Sequence, residues 1–379
     1  MKKIVFIAPE FHSIPPNYAA AVEWWIYNVA KISQIDNLIV CKGEKTEKKI
    51  EEISEYSTIH RVYTSAIYKR FFRKWSRLDP YPYAKRIIDT VRHYQDTSGE
   101  YPILVIQNSI PLYNELKKLY PEEMMVLHLH NKHKATNLNP RTKLITPSLF
   151  LADFFRSEAS IENIRIVPNG IDNTLYMRET CWKRERFGLK NDEKVILYAG
   201  RLDKGKGVIE LMDAVTLMHQ QGQNIKLLLI GDHATIKKGE REVYRRKVLE
   251  KASVMGMNCI LAGSLPPSDM HQVYPLADLT VVPSLGEEAF CMVALESMAC
   301  GVPVLVSSRG GIKEFVRPGN TGFLLQEPLS PESIARDITD TLSNTDLRVV
   351  AERGREVAIT QYDWSNVHTS FSKILSDWF

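Results

Sequence analysis

Residues 195–207 read VILYAGRLDKGKG, and the fold can be worked out from this stretch. The apolar residues at 195–199 predict a buried strand, and the glycines after them predict a tight turn. A helical pattern over 207–219 and a second apolar run at 226–230 follow along the chain. The order strand, glycine-rich turn, helix, strand is typical of an α/β protein with parallel strands.

The same alternation continues in both directions from this stretch. Runs of Val, Ile and Leu are typical of parallel strands that are buried on both faces. They occur at 4–8, 37–41, 103–107, 125–129, 143–146 and 164–167, and then at 195–199, 226–230, 258–262, 279–282, 302–307 and 322–325. Between them lie helical patterns such as 240–255 and 331–342. This alternation predicts a doubly wound α/β architecture. Strand and helix signals pause at 173–191, which predicts a division into two sheets of about six strands each.

Composition limits the classes of protein to which the chain can belong. Of the 379 residues, 25% are charged, and no apolar run is long enough to span a bilayer as a helix. The five cysteines are scattered and form no Cys-x-x-Cys pair, which argues against a zinc site or a disulfide framework. We therefore expect a globular protein of a reduced, cytosolic compartment.

Positive charge is concentrated in one part of the first half. The formal net charge is only +4, yet nine Lys or Arg residues and two Asp residues lie between His60 and His93. Within this block, Tyr68, Phe71, Phe72 and Trp75 follow the spacing of one helix face. The block predicts either a solvated helix with a buried aromatic stripe or a surface that binds an anionic membrane or acceptor.

The glycine-rich turn of 195–207 has the chemistry of a phosphate site. Gly200 begins the turn, and Arg201 and Lys206 bring two cations to the free amides of the turn. This pattern fits a diphosphate, although an ordinary basic surface turn remains an alternative. The chain contains no Asp-x-Asp, the acidic pair that a divalent cation on a nucleotide diphosphate normally requires. The cations can thus neutralise a diphosphate without a metal.

Two carboxylates flank a second strand-to-helix junction, at 286–296. Glu288 precedes the start of the helix and Glu296 lies about two turns along it, so both return to nearly the same face. The helix start exposes backbone amides, and its dipole favours an anion. One elongated ligand can then touch both carboxylates, with a phosphate between them. The alternative is a capping carboxylate and one solvated Glu.

Two histidines end a strand of the first half. His128 and His130 are two positions apart and therefore share one face of the sheet, at the carboxyl end of the strand where α/β proteins bind ligands. His133 lies nearby, beyond the strand end. A catalytic or substrate-orienting role, a purely structural role and, least of all, metal binding are the three alternatives.

Together these motifs resemble those of the retaining glycosyltransferases of family 4, which have the GT-B fold, and the resemblance covers nearly the whole chain. It is carried by 167–172, the Gly-Arg…Lys-Gly turn, 230–232, 277–284, the Glu-x7-Glu element, 299–304 and 310–314. The stretches 13–23 and 69–82 are similar to the lipopolysaccharide core α-1,2-N-acetylglucosaminyltransferases of enteric bacteria. The family usually has Gly-Gly where this chain has Ala at 19–21, and often Gly where it has Cys291.

The resemblance implies a role for each matching residue. Gly200, Arg201 and Lys206 would hold the donor diphosphate. Glu288 would contact the transferred sugar, and His130 would border the reacting centre. The amides of Cys291, Met292 and Val293 would bind phosphate and sugar, and Glu296 would bind the ribose. Phe290 would also lie at the donor sugar and ribose. Ala20, Ala21 and His128 would lie on the acceptor side.

The resemblance also implies an architecture. An acceptor-side Rossmann-like domain (1–172) and a nucleotide-sugar-binding domain (173–362) would face each other across a cleft, and a C-terminal helix (363–379) would pack back on the first domain. Closure of the domains would exclude water from the reaction.

The implied reaction transfers a sugar, N-acetylglucosamine foremost, from a UDP-sugar to a hydroxyl of the lipopolysaccharide outer core of a Gram-negative bacterium, with retention and without metal or cofactor. The expected partners are the sugar nucleotide, a lipid-linked phosphorylated acceptor and an anionic membrane contacted by 68–77, with no nucleic acid. The protein would then lie on the inner face of the cytoplasmic membrane. Alternatives are another hexosyl or heptosyl transferase, a GT-B sugar-nucleotide epimerase and a sugar-nucleotide-binding protein without activity.

Overall fold

The chain forms two compact units. The computed structural model describes residues 2–16, 20–44, 46–63, 81–95, 99–135, 137–231 and 239–379. The first unit comprises Met1–Gly170 together with Trp364–Phe379, and the second comprises Ile171–Asp363. The sequence-based boundaries at 172 and 362 thus differ from the structural ones by two residues and one residue.

An eight-stranded sheet forms the centre of the first unit. Its strands are β1 (Ile4–Ile7), β2 (Asn37–Lys42), β3 (Ile50–Ser54), β4 (Ser57–Val62), β5 (Ile103–Gln107), β6 (Met125–His128), β7 (Leu144–Thr146) and β8 (Ile164–Ile166). Their order across the sheet is β3-β4-β2-β1-β5-β6-β7-β8. Neighbouring strands are parallel except β3 and β4, which form an antiparallel pair.

Helices connect the parallel strands of the first unit. In the described part they are α1 (Ala21–Ile32), α2 (Tyr81–Tyr94), α3 (Ile110–Leu116) and α4 (Leu149–Ala159). The buried face of α1 carries Trp25, Ile26 and Val29, the spacing expected of a helix that packs on a sheet. Serines cap two of these helices: Ser109 accepts a hydrogen bond from Leu112 N at the start of α3, and Ser148 does the same for α4.

The second unit has a six-stranded sheet in which every neighbouring pair is parallel. Its strands are β9 (Lys194–Ala199), β10 (Ile225–Ile230), β11 (Cys259–Gly263), β12 (Leu279–Val282), β13 (Val304–Val306) and β14 (Phe323–Leu324), in the order β11-β10-β9-β12-β13-β14. Leu227 and Leu229 contact one hydrophobic cluster, whereas Leu228 and Ile230 contact another, because successive side chains of a strand point to opposite faces.

Helices cover both faces of this second sheet. They are α5 (Val208–Gln220), α6 (Glu240–Met255), α7 (Met270–Val273), α8 (Met292–Ala299), α9 (Pro331–Leu342) and α10 (Leu347–Gln361). Helices α5, α6 and α9 contribute to one cluster, and α8 and α10 to another. The start of α9 has a reciprocal cap, since Ser330 and Ser333 each accept a backbone hydrogen bond from the other.

The last helix, α11 (Trp364–Trp378), belongs to the first unit. Its buried residues Val367, Phe371 and Leu375 are four positions apart and form one face. The Phe371 ring lies 5.7 Å from that of Phe6 and 5.2 Å from that of Trp25. The helix therefore packs against β1 and α1.

The doubly wound α/β prediction is confirmed, with one correction to the number of strands. Each apolar run named in the sequence overlaps a strand. The first sheet, however, has eight strands rather than about six, because the pair β3 and β4 went unrecognised. Strand β3 has the sequence IEEIS and lies at the sheet edge, where Ile50 is 57% exposed, so it lacks the apolar run of a buried strand.

Candidate active site

The glycine-rich turn after β9 is locked to its neighbours by close backbone contacts. Gly207 adopts a positive φ of 67°, and a β-carbon there would overlap the carbonyl oxygen of Pro283 at the end of β12. In the same way, a β-carbon at Gly231 would overlap the carbonyl oxygen of Gly200. Only glycine permits both approaches, which bring three strand ends of the second unit together.

The turn also holds the loop that contains Glu288. The carbonyl oxygen of Gly205 accepts hydrogen bonds from the amides of Leu285 and Gly286, at 2.9 and 3.0 Å. On the other side of the loop, the Glu288 carbonyl accepts from the Gly311 amide at 2.8 Å. Glu288 is thus fixed through its backbone between two glycine-rich turns.

Lys206 and Glu288, predicted for the diphosphate and the sugar, meet in the structure. Their side chains form an ion pair of 2.6 Å, and the Ser284 hydroxyl donates to the same carboxylate oxygen at 2.5 Å. The lysine side chain is 25% exposed and the glutamate side chain 13%. The pair is therefore shielded yet reachable, so that its charges act more strongly than on an open surface.

Arg201 is held less firmly than Lys206. Its side chain is 63% exposed, and Nε lies 3.5 Å from a carboxylate oxygen of Asp203. Together with Asp203 and Tyr244 it lines a cavity of about 480 Å³. The structure places Arg201 beside the turn but does not bring it into contact with the Lys206–Glu288 pair.

Helix α8 begins directly after this loop. Its N-cap, Cys291, has φ 84°, a left-handed conformation that glycine adopts without strain, and its side chain makes no cap hydrogen bond for the helix. The amides of Met292 and Val293 form the start of the helix, where the dipole favours an anion. Phe290 is different, because its ring is buried in a hydrophobic cluster, with its centroid 5.1 Å from that of Phe315.

Glu296, in the middle of α8, is a partly buried carboxylate held by two tyrosines. The Tyr274 hydroxyl donates to Oε2 at 2.5 Å, and the Tyr176 hydroxyl also hydrogen-bonds to the carboxylate. Burial raises the pKa of Glu296 to about 7, and the two hydroxyls offset part of this effect. Sequence reasoning missed both tyrosines, since one lies in the pause at 173–191 and the other in a short helical turn, and neither follows a periodic pattern.

In the first unit, His128 and His130 lie side by side as predicted, with ring centroids 4.1 Å apart. Both are buried, and His128 also packs on Trp25 at 4.4 Å. Burial lowers the pKa of each imidazole, that of His130 to about 3, so both are neutral at physiological pH. His130 Nε2 is 3.1 Å from Oε1 of Gln107.

Gln107 and Asn108 belong to this group, although the sequence analysis did not name them. Asn108 Oδ1 accepts from the His130 amide and lies 3.1 Å from His133 Nε2. A signal was available for both residues, because they end a predicted strand next to the one that carries the histidines, and ligands bind beyond such ends.

Two other predictions concern the first unit. Ala20 and Ala21 lie at the start of α1, where Ala20 is an N-cap without a side-chain hydrogen bond. The basic block at 68–77 lies outside the described residues. In the described parts of both units, no group of three or more His, Cys, Asp or Glu side chains is arranged to hold a metal ion, and no helix is long and apolar enough to cross a membrane.

The chain is similar to known glycosyltransferases. The family model for glycosyl transferases group 1 matches residues 182–356. Lipopolysaccharide 1,2-N-acetylglucosaminetransferase of Salmonella typhimurium is 40% identical over 100% of this chain and 99% of its own. D-inositol 3-phosphate glycosyltransferase of Acidothermus cellulolyticus is 31% identical over 59% of this chain and 50% of its own.

Solved structures of similar fold cover the whole chain. Sucrose-phosphate synthase from Thermosynechococcus elongatus has a TM-score of 0.79 at 19% identity, with 99% of each chain covered. Anabaena HepE in complex with UDP-glucose has a TM-score of 0.74 at 21% identity, with 100% of each chain covered. From its sequence relatives and its two parallel-sheet units, the chain belongs to the group 1 glycosyl transferases of the GT-B fold.

Proposed function

We propose that this glycosyltransferase moves N-acetylglucosamine from UDP-N-acetylglucosamine to a hydroxyl of the lipopolysaccharide outer core, with retention at the anomeric carbon. The observation that carries the proposal is the Lys206–Glu288 ion pair, which involves the loop that leads into α8. The backbone amides at the start of this helix favour a phosphate group. The choice of N-acetylglucosamine as the sugar and of lipopolysaccharide as the acceptor rests on the Salmonella relative, which is 40% identical along the whole chain.

The second unit supplies groups for each part of the donor. Lys206 and the amides at the start of α8 would bind the diphosphate, and Arg201 would swing from Asp203 to join them. The Glu288 carboxylate would accept hydrogen bonds from the sugar, and Glu296 from the ribose. Since Tyr274 and Tyr176 already donate to Glu296, the carboxylate is oriented before the donor arrives.

Charge on the leaving diphosphate grows as its bond to the sugar breaks. Lys206 and the helix amides are fixed before the reaction, so they stabilise this developing charge without reorganisation. The acceptor hydroxyl would lose its proton to the departing phosphate, which requires no carboxylate nucleophile. Because cations and amides neutralise the diphosphate, we propose that the reaction proceeds without a metal or other cofactor.

The first unit is proposed to bind the acceptor. His128, His130, Ala20 and Ala21 lie at strand and helix ends of that unit, where α/β proteins bind ligands. A lipid-linked, phosphorylated acceptor would bring the enzyme to the inner face of the cytoplasmic membrane. The basic segment 68–77 would contact anionic lipid there.

A panel of labelled sugar nucleotides with truncated lipopolysaccharide cores tests the proposal. We expect transfer from UDP-N-acetylglucosamine to the core, little transfer from other donors, and an α-configured product by NMR. Wild-type turnover with an inverted product, or with no requirement for a core acceptor, would contradict it. Preference for another hexose would overturn the donor assignment alone.

A further inference from the structure

The ends of β5 and β6 carry a buried cluster of polar side chains that are incompletely satisfied. Gln107 and His128 are register partners on these strands, and His130 and Asn169 complete the cluster. Among the described residues, His130 Nδ1, Gln107 Nε2, Asn169 Oδ1 and both ring nitrogens of His128 have no hydrogen-bond partner. Buried polar atoms are nearly always paired in native proteins, so such a concentration indicates a place that hydrogen-bonds a ligand.

His130 is held in place from two sides. Its backbone amide donates to Asn108 Oδ1 at 3.1 Å, and its ring lies against His128, with 4.1 Å between the centroids. The ring nitrogen Nε2 is 3.1 Å from Gln107 Oε1. With Oε1 of the Gln107 amide facing the ring, Nε2 carries the hydrogen, because a carbonyl oxygen can only accept. In a neutral imidazole, Nδ1 then has a free lone pair.

His130 is neutral at physiological pH, so the position of its single ring hydrogen decides which ring nitrogen can accept a hydrogen bond. Burial lowers its pKa to about 3, the neighbouring His133 lowers it further, and Asn169 offsets part of the effect. His128 and His133 are lowered by burial as well, so these facing groups add no charge at neutral pH. A neutral ring has one donor and one acceptor, and the group that binds Nε2 decides which is which.

We propose that Gln107 is a positioning residue, which accepts the Nε2 hydrogen of His130 and thereby presents Nδ1 as the acceptor for a sugar hydroxyl. The statement that a sugar hydroxyl binds Nδ1 rests on the proposed function, whereas the position of the ring hydrogen does not. The Asn169 amide also faces the His130 ring and favours its protonated form. However, neither its Oδ1 nor His130 Nδ1 makes a hydrogen bond of normal geometry among the described residues, so Gln107, at 3.1 Å, is the acceptor that fixes the tautomer.

Nitrogen NMR of histidine-labelled protein tests the tautomer directly, with the His130 signals assigned from their loss in a His130→Gln variant. We expect wild type and Gln107→Glu to carry the hydrogen on Nε2, because both offer an oxygen acceptor. Gln107→Leu, which fills similar space without an acceptor, should show a mixed or reversed tautomer. Gln223→Leu is the matched control, since it removes a glutamine bonded to Thr339 in the second unit. An unchanged tautomer in Gln107→Leu would overturn the proposal.

Transfer kinetics test what the tautomer does. We expect kcat/KM to fall about 10- to 100-fold in Gln107→Leu, the effect of one lost hydrogen bond to a buried group. Gln107→Glu should recover most of this at pH 8. It should also add an acidic limb to the pH profile that wild type lacks, because a carboxylate beside the imidazole raises its pKa. Equal losses in both variants, with flat profiles, would mean that Gln107 only supports the fold.

The outcomes separate this inference from the proposed function. If the tautomer changes in Gln107→Leu but turnover does not, the functional half of the inference is overturned. If wild type transfers no sugar from any donor while the tautomer result holds, the proposed function fails and the positioning of His130 stands. Should Gln107→Leu unfold, the acidic limb of Gln107→Glu decides.

Discussion

Changing Tyr274 to Phe should shift the pH dependence of donor binding. The Tyr274 hydroxyl donates to Glu296 Oε2 at 2.5 Å, and its ring is fully buried, so the change removes one hydrogen bond and little volume. A hydrogen bond to a charged group contributes about 1.5–3 kcal/mol, equivalent to about one to two pKa units. Because this bond favours the ionised form, its loss raises the pKa of Glu296 above its value of about 7.

The sign of the effect on binding follows from the role of the carboxylate. Ribose hydroxyls donate to the ionised form, which predominates above the pKa. Affinity should therefore be full above about pH 7 in wild type and fall up to tenfold per unit below it. In Tyr274→Phe the same curve should move to higher pH by about one unit or more.

Isothermal titration with UDP-N-acetylglucosamine between pH 5.5 and 8.5 measures both curves, because the diphosphate diester of this donor does not titrate near pH 7. Tyr120→Phe is the matched control: it removes a buried hydroxyl that donates at 2.7 Å to the Pro102 carbonyl, away from any carboxylate. A uniform loss of affinity with an unmoved midpoint, or no pH dependence in wild type, would refute the assignment of Glu296 to the ribose.

Three further predictions concern stability, metal and membrane. Glu296→Gln should raise the free energy of unfolding by about 1–3 kcal/mol at pH 8 but not at pH 4, because an acid with a raised folded pKa costs stability only above its unfolded pKa. Chemical denaturation at both pH values measures this, and a lower free energy of unfolding at pH 8 would contradict it. Transfer should persist in excess EDTA, whereas activity that vanishes and returns with Mg²⁺ would show a metal requirement. Co-sedimentation with anionic liposomes should fall with added salt, and it should fall when four cations of the basic block (Lys69, Arg70, Arg73 and Lys74) are changed to Gln. Binding that does not depend on salt would argue against a membrane role.

Most parallel strands were predictable because they carry runs of apolar residues, and strands such as β1, β5, β6 and β12 are buried at every position. The pair β3 and β4 was not, because an edge hairpin needs apolar residues on one face only, and Glu51 and Glu52 interrupt even that pattern in β3. The helices 240–255 and 331–342 were predicted with the bounds that the structure gives them.

The second unit's site was partly predictable, because its residues lie at strand ends beside glycines. The meeting of Lys206 with Glu288 follows from two strand-to-helix junctions at one edge of the sheet. Tyr176 and Tyr274 were not predictable, because their contact with Glu296 depends on how a linker and a short helix pack against α8. No local pattern in the sequence encodes that packing.

The rate of N-acetylglucosamine transfer by Lys206→Ala tests the central claim most directly. Lys190→Ala is the control, since Lys190 is an exposed lysine of the same unit. Removing a fixed cation that stabilises the leaving diphosphate should cost about 2–4 kcal/mol, or about 30- to 1000-fold in kcat, with the fold intact by circular dichroism. Lys190→Ala should match wild type. Wild-type turnover in well-folded Lys206→Ala would contradict the proposed site.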